Sequence, residues 1–199
     1  MGTAPDPAVL LDHRGNVRPT LPAVLGYEDS RLGLAFHEAG HAVLAMSYGF
    51  HLLSTEVVYW EPEPDRWNLT GLTTIASEDV IPPWKFGAQA AAGTVAEVRY
   101  LMTSGLWTPE RAAACDAEHD RRHAIDTAAE TGHRIACDHV PPGGKSWGQV
   151  RGMALRKIGL LWREIRTVAH AMNEHTKLTG EQVAAMTGLA NPPMPGAVA

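Results

Sequence analysis

Residues 31–49 read RLGLAFHEAGHAVLAMSYG, and the fold turns on this stretch. Leu32, Phe36, Ala39, Val43 and Met46 recur at three- and four-residue steps, the period of one apolar face of an α-helix. Asp29 and Ser30 offer an N-cap, and Gly49 a C-cap. Within the helix, residues four apart lie one turn above each other, so His37 and His41 present two imidazoles to one point. A tetrahedral zinc ion asks this of its first two ligands, at about 2.0–2.1 Å each. Glu38 stands about 100° around the helix from His37. A carboxylate there can accept a proton from a water that the metal has acidified and pass it to a leaving amine. Gly40 costs a helix roughly 1 kcal/mol relative to alanine. Its place is explained if another backbone or a ligand passes close by.

A catalytic zinc takes three protein ligands and keeps one open position. Candidates for the third cluster in CDAEHDRRHA (115–124): Asp116, His119, Asp120 and His123, with Cys115 adjoining. The chain has ten histidines, which raises the chance of a coincidental H-E-x-x-H, so a distant third ligand separates a site from an accident. The competing reading is an alanine-rich core helix whose histidines are merely hydrogen-bonded.

Outward from this helix, residues 1–28 hold Pro5, Pro7, Pro19 and Pro22 with little periodicity, which predicts an extended or loosely packed arm. TEVVYW (55–60) and LTGLTTIA (69–76) are strand-like and flank a polar loop, a hairpin or small antiparallel sheet. A helix is expected over about 84–103, where Ala88, Ala92, Gly93 and Ala96 allow close packing. Residues 105–117 read as a loop or helical turn, and EHDRRHAIDTAAETGHRIA (118–136) as a further helix. HVPPGGK breaks the pattern. Ser146 then caps a long helix over about 147–175, and Thr179 with Gln182 forms a capping box for a short last one. The expectation is a mainly α fold with a small β-hairpin or antiparallel sheet: one domain over 29–190 and a flexible tail at 191–199.

Composition narrows the function. With 45% hydrophobic and 20% charged residues the chain reads as globular, and at 199 residues as one domain. A net charge of −5 with scattered basic residues argues against nucleic acid as partner. No run is long enough for a membrane span, and the N-terminus has no secretory pattern. Two cysteines, Cys115 and Cys137, make no disulfide framework. A cytoplasmic protein is the expectation.

FHEAGHAV resembles the zinc-site helix of the peptidase domain of FtsH, the M41 metallopeptidases. Two further stretches are similar in the same order. AGTVAEVRYL (92–101) resembles the family's Gly-Gly-Arg-Ala-Ala-Glu-Glu segment and places Glu97 on its first glutamate, with Thr94 in place of the arginine and Val98 in place of the second glutamate. HDRRHAIDTA (119–128) resembles the Asn-Asp-x-x-x-Ala-Thr helix start, and LWREIRTVAHAMNEHTKLTGEQVAAM resembles the closing helix and its continuation. The resemblance implies a zincin-like, mostly helical peptidase domain with Zn²⁺ on His37, His41 and Asp120. It implies Glu38 as general base and Glu97 as the group orienting a zinc-bound histidine. It favours Asp120 over Asp116, His119 and His123, and makes LTGLTTI the edge on which an extended peptide or unfolded protein substrate lies.

FtsH proteins also carry membrane spans and an ATPase, whereas this sequence has no G-x-x-x-x-G-K-[ST] loop. The expected activity is therefore an ATP-independent zinc metalloendopeptidase, with room for a homo-oligomer or a separate ATPase partner. Two alternatives use the same residues: a non-catalytic or regulatory metal-binding module, and a metalloenzyme of different chemistry on the His/His/Asp set.

Overall fold

Helix α1 (Tyr27–Ser47) is buried at every position from Ala35 to Met46. A helix buried on all sides needs neighbours on all sides. In the computed structural model, which describes residues 5–18, 24–63, 66–76 and 82–196, these are α3 (Ala92–Thr103), α7 (Trp162–His175) and the hairpin of β1 (His51–Glu63) and β2 (Arg66–Ala76). The contact with α3 explains Gly40. A Cβ there would lie 2.7 Å from the Ala92 carbonyl oxygen and 2.8 Å from the Ala96 Cβ. The two helices touch backbone to backbone, as the small residues predicted. Phe36 stacks on Tyr100 and Trp162 at ring distances of 4.8 and 5.3 Å, which ties α1 to α3 and α7 at one end. The helix begins at Tyr27, not at the expected cap of Asp29 and Ser30. Glu28 and Asp29 lie inside its first turn, where carboxylates meet the positive end of the helix.

The fold is mainly α with a small antiparallel sheet, as expected. The sheet has the order β2-β1-β5, with β5 (Lys177–Thr179) a third strand that the sequence reading missed. β1 and β2 run in register from His51 opposite Ala76 to Glu63 opposite Arg66, longer than the expected strands, with a bulge between Leu52 and Ser54. On the other side β1 takes β5, Thr55 facing Leu178. β2 is therefore an edge strand.

Three expected helices are shorter or divided. The stretch over 84–103 turns at Ala91 into α2 (Pro83–Ala90) and α3. The stretch over 147–175 divides at Leu161 into α6 (Trp147–Leu160) and α7, two residues after Gly159. Helix α5 (Glu118–Glu130) stops early because Gly132, at φ +74°, takes the left-handed conformation that closes helices. Past it, β3 (Ile135–Ala136) pairs with β4 (Lys145–Ser146). Residues 109–114 form a short α4 (Pro109–Ala114). Both expected capping devices are present, Ser146 with Gln149 on α6 and Thr179 with Gln182 on α8 (Gly180–Thr187).

Among the described residues both ends make defined contacts, residues 197–199 of the expected tail lying outside them. In the arm, Pro7–Leu10 forms a 3₁₀ turn, and Leu11 bridges Val17 across a turn in which Asp12 accepts from the amides of Arg14 and Asn16 at 2.9 Å. Residues 1–4 and 19–23 of the expected arm lie outside the described residues. Asn191, at the start of the expected tail, accepts from the Leu52 amide at 2.8 Å and donates to its carbonyl at 3.0 Å. None of the described helices is long and apolar enough to cross a membrane.

Candidate metal centre

His37 and His41 sit one turn apart on α1, both buried, with their rings 4.8 Å apart. Each ring is oriented through Nδ1. His37 Nδ1 is 3.0 Å from Glu97 Oε2, on α3. His41 Nδ1 donates at 2.8 Å to the carbonyl of Gln89. That carbonyl lies in the last turn of α2, just before the turn at Ala91, and has capacity for the imidazole as a second donor. With both Nδ1 atoms engaged, both Nε2 atoms face the same point. Asp120, in the first turn of α5, meets them there, its Oδ2 lying 3.2 Å from His37 Nε2 and 3.1 Å from His41 Nε2. One ligand atom from each of the three residues lies within 4.8 Å of the others.

Burial opposes charge on all three, and mutual attraction outweighs it. Hydrogen bonds to the Asp120 and Glu97 carboxylates hold the His37 pKa well above the usual imidazole value, and the Asp120 charge raises that of His41. The two histidines in turn hold the Asp120 carboxyl well below the usual range. Asp120, Glu97 and Glu38 bring three carboxyl groups to one small volume, a setting that attracts a cation.

The fit to a metal rests on Gly93 as well as on the donors. A Cβ at Gly93 would fall 2.2 Å from His37 Nε2 and 2.5 Å from His41 Nε2. Only a residue without a side chain leaves free the space onto which the two nitrogens converge. Two imidazole nitrogens and a carboxylate oxygen, with outer partners fixing each ring, make a donor set that zinc accepts.

Glu38 points to the sheet side of this cluster. Its Oε2 accepts from Thr73 Oγ1 at 2.7 Å, and a Cβ at Gly71 would come within 2.1 Å of its Oε1. β2 thus holds Glu38 from above, and Gly71 leaves it room. Glu38, His41 and Asp120 line a cavity of about 300 Å³, together with Gly71, Thr73 and Arg18.

The chain matches no known family model, and no curated protein aligns with it significantly. The reading of the site therefore stands on its geometry.

The other candidates for third ligand do not join the two histidines at this point, although His119 and His123 line the same cavity. Asp116 is exposed and accepts from Arg121 at 3.2 Å. His123 stacks on His13 at 4.4 Å and meets the edge of Phe86. His119 Nε2 is 3.3 Å from the other Asp120 oxygen, Oδ1, and 3.5 Å from Arg18 Nη1. Burial, with Arg18 and the two cluster histidines, pushes the His119 pKa below the usual value, so it stands neutral beside the cluster. Cys115 is buried near Glu97, and burial pushes its thiol pKa up, so it is inert.

Sequence reasoning missed Gly71, Thr73 and Arg18. An isolated glycine within a strand signals close approach of something to the backbone, and Gly71 carried that signal. Arg18 carried none.

Proposed function

We propose that this chain is a zinc-dependent metallopeptidase, with His37, His41 and Asp120 as the ligands and a catalytic layout similar to that of FtsH-type peptidase domains. The observation that carries the reading is the convergence of both Nε2 atoms on Asp120 above Gly93, with Glu38 alongside and in the same cavity. Among the described residues the cluster has three protein donors and no fourth, which favours a catalytic over a structural metal. Zinc, when bound, supplies a Lewis acid that polarises a peptide carbonyl and acidifies water.

The chain's own groups supply the remainder. Glu38 takes the proton from the attacking water and returns it to the leaving amine. Thr73 holds the carboxylate by one oxygen and leaves the other available. Glu97 and the Gln89 carbonyl keep the two rings from turning, so both nitrogens stay directed at one point. β2, an edge strand among the described residues, would offer main-chain hydrogen bonds to an extended substrate and so direct its carbonyl toward the cluster.

The test compares peptide hydrolysis by the wild type and Glu38→Gln at equal zinc occupancy. The expected loss in kcat is about 10²- to 10⁴-fold, the usual contribution of a positioned base. Equal rates would remove Glu38 from the chemistry.

A further inference from the structure

Arg18 projects from the arm into the cavity that Glu38, His41 and Asp120 line. Its guanidinium donates to the carbonyls of Val9 and Gly71 and to Thr70 Oγ1, and lies against His119 Nε2. Among the described residues none of these partners is a carboxylate, and Arg18 makes no ion pair. The other arginines of this region are matched: Arg14 with Asp126 at 2.7 Å, Arg121 with Asp116 at 3.2 Å, Arg122 with Glu118. A half-buried guanidinium with no counter-charge among the described residues, one imidazole away from Asp120, is a receptor for an anion.

Its position also marks where the substrate path ends. Arg18 covers Gly71 and Thr70 on β2, an edge strand of the sheet among the described residues. A chain pairing with β2 from the Thr73 side meets the arm there and goes no further. The cavity, at about 300 Å³, lies at the lower end of the range for small-ligand sites, a size suited to the end of a chain or to a short peptide.

We infer that Arg18 binds the C-terminal carboxylate of the substrate, so that this site removes residues from the ends of short peptides and does not cut within long chains. The assignment rests on the peptidase reading above for its chemistry, but the carboxylate site can be tested apart from it. Arg18 is a binding residue: a carboxylate would replace its long contacts to the Gly71 carbonyl at 3.4 Å and His119 Nε2 at 3.5 Å, and the planar guanidinium suits the two oxygens.

The experiment uses one N-acetylated short peptide in three forms: free C-terminal acid, C-terminal amide, and amide with a glutamate as last residue. The zinc-loaded wild type should prefer the free acid over both amides by about 10- to 100-fold in kcat/KM, the range a charge-assisted hydrogen bond supplies. In Arg18→Gln the acid-to-amide ratio should fall to near one, and Arg18→Lys should keep part of it. If Arg18 only anchors the arm, the three substrates fall together and the ratio persists, which overturns the assignment. Equal rates on acid and amide by the wild type overturn it too, and a preference for the glutamate amide overturns the terminal carboxylate. Binding of the free acid and the amide to the metal-free protein, by calorimetry, gives the independent readout. Tighter binding of the acid that disappears in Arg18→Gln upholds the carboxylate site even if no peptide is cleaved, whereas equal binding rejects it whatever becomes of the peptidase reading.

Discussion

The floor and the roof of the cavity are built by opposite means. The floor is carried on α1, α3 and α5, and His37 and His41 are buried where glycines and alanines bring helices together. The roof is the arm, most of it exposed, fastened at Asp126 by His13 and Arg14 and at β2 by Arg18. The roof is held largely by surface ion pairs and a few hydrogen bonds, the former being weak contributors. The floor should therefore govern whether a metal binds, and the roof which substrate is taken.

The sharpest way to break the floor is Gly93→Ala. The new Cβ has no room beside the two Nε2 atoms and must turn the rings away from Glu97 and the Gln89 carbonyl. Zinc affinity, measured by competition with a chelator, should fall about 100-fold or more, the upper range for disturbing the partners that orient ligands. Affinity within threefold of the wild type would mean that the rings do not bind metal in this arrangement.

Gly71→Ala separates the base from the metal. Its Cβ displaces the Glu38 carboxylate, yet it touches no ligand. Zinc affinity should stay within about threefold of the wild type while kcat falls about 10- to 100-fold, less than the loss of a whole base. A parallel loss of zinc would show that Glu38 and the ligands respond as one unit.

The same contrast explains what was legible in the sequence. The floor is mostly local: His37, Glu38 and His41 are set by helical spacing, and Gly40 announced the close approach of a backbone or a ligand, which is α3. Asp120 came from the resemblance, since no local rule ties position 120 to position 37. The turns at Ala91 and Leu161 were hidden because the helical periodicity continues through both. β5 is three residues long, too short for an alternating pattern, and exists because β1 has a second edge to pair. Gly132 was a stop signal passed over in favour of the apolar residues beyond it. The roof was illegible because its order is long-range. His13 and Arg14 are placed by Asp126, more than a hundred residues away, and nothing around Arg18 indicates that it reaches β2.

The smallest expected effect lies at that fastening. Two hydrogen bonds from Arg14 and the contact with His13 pull the Asp126 pKa down to about 2, below its ordinary value of 3.8. A carboxyl whose folded pKa is depressed contributes docking strength that is complete above its unfolded pKa and lost as pH falls through the folded one. The arm should therefore remain docked down to about pH 4 and loosen between about pH 4 and 2. The amide resonances of Asp12 and Arg18, which are hydrogen-bonded to Asn16 and Leu10 within the arm, report this by their shifts on acid titration. Asp126→Asn should give the loosened pattern already at pH 6 and leave zinc affinity unchanged, because Asp126 touches no ligand. A change in zinc affinity in that variant would mean that roof and floor are one cooperative structure.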